Sequence, residues 1–280
     1  MSAFDIPFLK MHGLGNDFVV IDARARPVSF TARQIRHIAD RKRGVGCDQL
    51  ILLSPAPEPL ADIFMTILNA DGSEVAACGN ASRCVAAVMM DEKQTDHIVI
   101  QTKAGLLDAE RRSPDHVAVD MGPARLDWRD IPLSEALDTL HLPIEIGPLR
   151  DGVGVGMGNP HAVFFVADIA SIPLETLGPQ LEHHPLFPER ANIEIAQILE
   201  DGKIRMRVWE RGSGITQACD NGACATLVAA ARRGLIGRQA EIILDGGSLF
   251  IEWQNDNHVM MTGPVATAFE GRLHASLLTS

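Results

Sequence analysis

The sequence predicts a mixed α/β fold, of the α+β kind, built as two pseudo-symmetric lobes by internal duplication. Two observations lead there. Residues 63–80 align without a gap on 204–221 at one offset of 141, which pairs Cys78 with Cys219, Ile63 with Ile204, Met65 with Met206, Ala77 with Ala218 and Asn80 with Asn221. Within two residues of that register, the Gly-x-Gly-Asn ending at Asn16 pairs with the one ending at Asn159, and Gly122-Pro123 with Gly263-Pro264. Four landmarks in order, at a spacing near half the length, mark a repeated unit. The second observation is a series of short β-type runs broken by two helical stretches, each directly behind one of the paired cysteines.

The β-type runs are rich in branched and apolar residues and are bounded by turn formers. In order they are Phe18 to Asp22, Gln49 to Leu53, Ile63 to Leu68, Ile98 to Thr102, His116 to Asp120, Ala162 to Val166, Ile204 to Val208, Glu241 to Leu244 and Leu249 to Trp253. Ile204-Arg-Met-Arg-Val208 alternates apolar and polar residues, as a strand with one buried face does. The helical stretches are Asn80 to Glu92 and Asn221 to Arg233, the second stopped by Gly234. Each half thus reads strand, glycine-bearing loop, cysteine, helix. A proline-punctuated segment, Pro123 through Pro132 and Pro143 to Pro148, is the expected link between lobes. The glycine run from Gly152 to Gly158 lacks G-x-G-x-x-G spacing and leads into a strand, so no nucleotide site is expected.

The 280 residues suit about two domains at roughly 150 residues each. A formal charge of −11 without a dense Lys/Arg run argues against nucleic acid or an anionic membrane as partner and leaves small polar metabolites. No apolar stretch approaches bilayer length, and the MSAFDIPFLK start lacks a basic region followed by an apolar one, so a cytoplasmic protein is expected. Five cysteines are sparse and odd in number, unlike a disulfide framework, so reduced thiols are expected.

A thiol acts as base or nucleophile when ionised, and a helix start favours the thiolate through unpaired N–H groups and the helix dipole. Cys78 and Cys219 both precede helices. Two such starts converging on one cleft would cradle a carboxylate. If it belonged to an amino acid, one thiolate could take the α-proton while the opposite thiol returned one to the other face. Cys47, Cys84 and Cys224 lie in apolar sequence and read as small buried hydrophobes. The C-x5-C and C-x4-C spacings contain no C-x2-C knuckle, so no metal site is expected.

The chain closely resembles the diaminopimelate epimerase family over essentially its full length. The resemblance is carried by Met11-His-Gly-Leu-Gly-Asn-Asp-Phe18, Gly46-Cys-Asp-Gln49, Asn69-Ala-Asp-Gly-Ser-Glu74, Cys78-Gly-Asn80 with Arg83-Cys84, Gly158-Asn-Pro-His161, Pro188-Glu-Arg-Ala-Asn192, Glu210-Arg-Gly212, Thr216-Gln-Ala-Cys219 and Gly246-Gly-Ser248. It implies cofactor-independent epimerisation of LL-diaminopimelate to the meso form, in lysine and peptidoglycan precursor synthesis. Cys219 would deprotonate the LL form and Cys78 deliver the proton. Backbone N–H groups of Gly79, Asn80, Asp220 and Asn221 would hold the reacting carboxylate, with Asn16 and Gln49 near that end. Asn69, Asn159, Asn192, Glu210 and Arg211 would hold the distal amino and carboxylate groups. The resemblance also implies curved mixed sheets, each around a central helix, over lobes 1–124 and 125–264. A C-terminal strand around Phe269 to Leu273, within residues 265–280, would return to the first lobe. Dimers are common in the family, so a homodimer is expected.

His12 and His161 adjoin these motifs and read as structural. Three departures stand out. Ala81-Ser82 follow Asn80 where a glycine is usual, Ile215 replaces a common glutamate, and Asp220 with Asn221 replaces glycine followed by serine or threonine. Turned inward, the Asp220 carboxylate would favour protonated Cys219; turned outward, it would be an ordinary first-turn acid. Two other functions are compatible with the sequence. One is a racemase of another amino acid such as proline, hydroxyproline or histidine, although proline racemases typically carry Cys-Gly-His in place of Cys78-Gly-Asn80. The other is a non-catalytic amino-acid-binding protein disabled by Asp220.

Overall fold

The structure, a computed structural model, describes residues 6–278; residues 1–5 and 279–280 of the expected first lobe lie outside the described residues. The chain forms two compact units: one ends at Val119 and resumes at Gly263, and the other is Asp120–Thr262. The first half of the chain runs β1 (Ile6–Gly13), β2 (Asn16–Asp22), α1 (Ala32–Ala39), β3 (Gln49–Ser54), β4 (Ile63–Asn69), β5 (Glu74–Val75), α2 (Gly79–Lys93), β6 (His97–Thr102), β7 (Gly105–Ser113) and β8 (His116–Pro123). The second runs β9 (Leu142–Ile146), β10 (Leu149–Gly156), β11 (Pro160–Phe165), α3 (Leu174–Glu182), β12 (Asn192–Ile198), β13 (Ile204–Glu210), β14 (Gly214–Thr216), α4 (Asp220–Arg232), β15 (Gln239–Leu244), β16 (Gly247–Trp253), β17 (His258–Pro264) and β18 (Ala266–Leu273).

In the first unit β1 pairs antiparallel with β18 and β2, β2 parallel with β3, and β3 antiparallel with β4. β4 then pairs antiparallel with β5 at one end and parallel with β6 at the other, and β7 closes the order beside β6 and β8. The second unit repeats these signs in order: β9, β10 and β11 antiparallel, β11 parallel to β12, β12 antiparallel to β13. There too β13 takes β14 antiparallel and β15 parallel, followed by β16 and β17. Each parallel step needs a crossover, and these contain α1 and α2 in one unit and α3 and α4 in the other. The mixed sheets and single central helices agree with the α+β expectation.

Each long helix is a core element along most of its length. In α2, residues 79–87 with Met89 and Met90 are buried, and α4 is buried at Asp220 and from Gly222 to Ala230. A helix apolar on all sides needs a wrap on all sides. Strands β10–β13, β15 and β16 supply it for α4, and β1, β2, β6 and β7 pack on α2. Fully buried Leu227 and Val228 each contribute about 1.5–3 kcal/mol of transfer free energy. Ile131, Leu133, Leu142 and Ile144 belong to the second unit's core, so the proline-bearing stretch read as a link also builds that unit. The glycine run beginning at Gly152 is itself mostly β10, and a Cβ on Gly152 would lie 2.8 Å from Phe164.

The sequence reading does not place several elements, among them α1, α3, β10 and β12. Of these, α3 supports the turn that carries Glu210 and Arg211. Trp209 of β13 lies against Gly178 of α3, while its indole Nε1 donates to Glu182 Oε2 at 2.7 Å. Glu182 also accepts from the Gly212 N–H at 2.9 Å, which fixes the turn after Glu210-Arg211. Helix propensity favours Gly178→Ala by about 1 kcal/mol. An alanine Cβ would sit 2.5 Å from the indole, however, and overpacking costs about 1–3 kcal/mol. Gly178→Ala is therefore expected to lower the melting temperature and shift tryptophan emission; a rise in Tm would show that the indole moves aside freely.

Candidate active site: two cysteine-capped helix starts

Each central helix begins immediately behind a cysteine in extended conformation. Cys78 caps α2 at φ −155° and ψ 114°, and Cys219 caps α4 at φ −135° and ψ 108°. The first N–H groups of a helix have no carbonyl partner four residues back. Both starts therefore present donors beside a thiol.

In the first unit the Gly13–Asn16 hairpin supports this start. Leu14 and Gly15 have φ of 54° and 82°, as a two-residue turn with both central residues left-handed requires, and Asn16 opens β2. A Cβ on Gly13 would come within 3.1 Å of Asn80 Oδ1 and Arg83 Nη2, so the hairpin packs against the helix start. Arg83, fully buried, donates from Nη2 to Asn80 Oδ1, which commits that side-chain oxygen to an internal bond. The Cys78 thiol lies 3.7 Å from Asn16 Oδ1, and Asn16 Nδ2 donates to Asp48 Oδ2 at 3.0 Å. Gln49 is register partner to Asn69 across β3 and β4; its Nε2 donates to Asn69 Oδ1, and Asn69 Nδ2 to Ser73 Oγ, each at 3.0 Å. Gln49 Oε1 is buried without a hydrogen-bond partner among the described residues. Asn16, Gln49, Asn69, Gly79 and Asn80 thus all belong to this unit, close to the start of α2 or on adjoining strands.

The second unit gathers Asn159, Asn192, Glu210, Arg211, Asp220 and Asn221 in the corresponding elements. Asn221 Nδ2 donates to Met157 O at 3.2 Å and to Asn159 Oδ1 at 3.1 Å, tying α4 to its own turn. Asn192 Nδ2 donates to Pro160 O at 3.1 Å while its Oδ1 accepts from the Arg211 N–H at 2.9 Å. The Arg211 guanidinium donates to Glu189 O at 3.1 Å, and Glu210 accepts from the Thr216 hydroxyl. Cys219 Sγ accepts from the Gly222 N–H at 3.4 Å. A Cβ at Gly222 would lie 2.8 Å from Glu194 Oε1 and 3.2 Å from Cys219 Sγ, so a larger residue there would displace the buried Glu194 carboxylate and crowd the thiol.

Here the electrostatics differ from the sequence expectation. Burial pushes the Cys219 thiol well above its ordinary value, the Glu210 and Glu194 carboxylates push further, the Gly222 N–H opposes, and Asp220 adds to the rise. The helix-start effect is present but outweighed. Burial also raises Glu210, against the Thr216 hydrogen bond. Asp220 is 7 % exposed, so the outward, solvated orientation does not hold. Sequence reasoning takes His161 as structural and does not raise Glu194. Both are fully buried, with His161 Nδ1 2.7 Å from Glu194 Oε1 and Nε2 2.7 Å from Asn159 Oδ1. The available signal is an acidic residue between isoleucines in Asn192-Ile-Glu-Ile195. Cys47, Cys84 and Cys224 are buried as expected, and burial raises Cys47 to about 11. Among the described residues, no group of three or more His, Cys, Asp or Glu is arranged to hold a metal ion. No helix among them is long and apolar enough to cross a membrane.

Because Glu210 ranks above Asp220 among the charges on Cys219, Glu210→Gln is expected to lower the pH of Cys219 alkylation more than Asp220→Asn does. Iodoacetamide labelling followed by peptide mapping across pH reads this order directly. A larger shift from Asp220→Asn would show that the adjacent carboxylate dominates.

Comparison with known proteins gives a consistent family. Residues 8–126 and 153–268 match the family described as Diaminopimelate epimerase. The chain is 62 % identical over 271 residues to a diaminopimelate epimerase of Rhodospirillum centenum, covering 97 % of this chain and 93 % of that one. It is 56 % identical over 272 residues to a diaminopimelate epimerase of Acidiphilium cryptum, covering 97 % and 98 %. Among solved structures, a hydroxyproline epimerase from Agrobacterium vitis matches at TM-score 0.67 and 19 % identity, covering 96 % of this chain and 91 % of that one; this likeness concerns the fold alone. With the paired helix starts and these matches together, the chain belongs to the diaminopimelate epimerase family.

Proposed function

We propose that this protein epimerises LL-2,6-diaminopimelate to the meso form by a two-base mechanism without pyridoxal phosphate or metal, Cys219 removing the α-proton and Cys78 supplying one to the opposite face. The observation that carries the reading is the cysteine N-cap repeated at the same place in two units of the same topology. The N–H groups of Gly79 and Asn80, and of Asp220 and Asn221, bind the carboxylate beside the reacting carbon. Charge that builds on that carboxylate as the proton leaves meets fixed donors, where preorganised electrostatics acts most strongly. Gln49 Oε1, an acceptor without an internal donor among the described residues, suits an ammonium group, with Asn16 beside Cys78. Asn69, Asn159, Asn192, Glu210 and Arg211 read the second amino and carboxylate groups, a zwitterion that amides and a guanidinium recognise.

Burial, reinforced by the carboxylates around Cys219, holds its proton in the free protein. An arriving substrate ammonium offsets that negative charge, so formation of the thiolate is coupled to substrate binding. Family resemblance supports a cytoplasmic homodimer acting in lysine and peptidoglycan precursor synthesis. A second reading, binding without catalysis, draws on the burial of Asp220 next to Cys219.

Chiral chromatography of LL-diaminopimelate incubated with the protein should yield the meso isomer, with no inversion of proline or hydroxyproline under the same conditions. Cys78→Ala and Cys219→Ala should each abolish conversion while leaving the circular dichroism spectrum unchanged. Substrate binding without conversion by the parent protein would favour the binding-only reading, and either alanine variant retaining near-normal turnover would exclude two thiol bases.

A further inference from the structure

We infer that Asp48 is a positioning residue: it turns the Asn16 amide so that the oxygen, not the nitrogen, faces Cys78, and so favours the protonated form of the Cys78 thiol. The inference rests on the proposed two-thiol chemistry. An ionised carboxylate only accepts hydrogen bonds, whereas a carboxamide accepts at one end and donates at the other. Asp48 Oδ2 receives the Asp17 N–H at 3.1 Å and Asn16 Nδ2 at 3.0 Å, and Asp48 Oδ1 receives Arg41 Nη2 at 2.7 Å. With its nitrogen committed there, Asn16 leaves Oδ1 toward Cys78 Sγ, 3.7 Å away. An oxygen acceptor is satisfied by an S–H and repelled by a thiolate.

The surrounding charges hold this arrangement in place. Arg41 also donates to both oxygens of Asp17, at 2.8 and 2.7 Å, and Lys10 Nζ lies 2.5 Å from Asp17 Oδ2. Asp17 closes the circuit by accepting the Asp48 N–H at 2.9 Å. Burial would raise the Asp17 carboxyl, yet Arg41 and Lys10 hold it well below the usual carboxylate range. The charged and titratable groups packed here are therefore Lys10 on β1, Asp17 on β2, Arg41 after α1, Cys47 and Asp48 before β3, and Arg83 on α2, in the same unit as Cys78.

The repeat supplies an internal comparison. Asn159 occupies the place of Asn16 at an offset of 143, and Ala191 the place of Asp48. No carboxylate at 191 turns Asn159; its Oδ1 faces Asn221 Nδ2 and His161 Nε2 instead. Cys219 Sγ takes a backbone N–H from Gly222. One thiol is thus placed as a donor and the other as an acceptor, although both begin equivalent helices. Asp48 marks the difference.

The test is the pH profile of Cys78 alkylation by iodoacetamide in the full-length protein, read by peptide mass spectrometry, which reports on the thiol whether or not the protein is an epimerase. Asp48→Ala frees the amide to rotate and is expected to move the profile toward acid, with roughly tenfold faster labelling at a fixed pH below the parent midpoint. Asp48→Asn still offers an oxygen to the Asp17 N–H and the Asn16 amide, so it should stay close to the parent. Asn16→Leu removes the acceptor outright and should reproduce the Asp48→Ala shift, which keeps the test decisive if Asp48→Ala does not fold. Equal shifts for Asp48→Ala and Asp48→Asn would mean that charge alone acts, and would overturn the inference. So would an unmoved Cys78 profile, or an equal acceleration of Cys219 labelling in Asp48→Ala.

Discussion

A helix start cannot hydrogen-bond to itself, and in this protein both central helices meet that constraint with a cysteine. A serine or aspartate cap would satisfy one of the first-turn N–H groups more strongly. The cysteine leaves more of them uncommitted: Cys78 makes no side-chain capping bond, and Cys219 makes one long bond to Gly222. Much of each unit serves to hold that weakly capped start in place. The helices are buried on nearly all sides, and the asparagines two residues behind the cysteines, Asn80 and Asn221, make internal bonds. Each start places a thiol beside the backbone of a first helical turn, the two kinds of group that the proposed chemistry uses.

Duplication made the two starts alike, and later substitution made them chemically different. The first is set among an ion cluster of two basic and two acidic side chains with an amide turned by Asp48. The second is surrounded by Glu194, Glu210 and Asp220, which raise the thiol beyond what burial does alone. An epimerase whose substrate and product differ at one centre needs one proton donor and one acceptor at any moment, so unequal surroundings suit the reaction better than strict symmetry. The buried Glu194 and His161 pair belongs to this asymmetry, since the equivalent positions in the first unit are Ile51 and Phe18.

Much of this is readable from the chain because the signals are local. The 141-residue register, the strands around Ile63 and Ile204, and both helices behind the cysteines rest on residues adjacent in sequence. α1 carries a readable signal in Thr31-Ala-Arg-Gln34, where the side chains of Thr31 and Gln34 form a capping box. α3 is harder, since Pro179 interrupts its pattern and Pro173 caps it without a side-chain bond. The roles of Asp48 and Glu194 depend on partners 32 and 33 residues away, brought close by parallel strand pairing, and no local pattern encodes such a register. The state of Cys219 departs from the sequence expectation for a related reason. The helix start is visible in sequence, but the buried carboxylates that outweigh it are assembled by the fold.

The central claim is that two thiols act on opposite faces of one carbon, and early turnover in deuterated water tests it most directly. LL-diaminopimelate should give meso product carrying one deuterium at the inverted centre, while unreacted substrate retains protium, because the proton removed and the proton delivered sit on different sulfurs. Label appearing equally in recovered LL substrate and in product from the first turnovers would indicate a single base serving both faces, and would contradict the account.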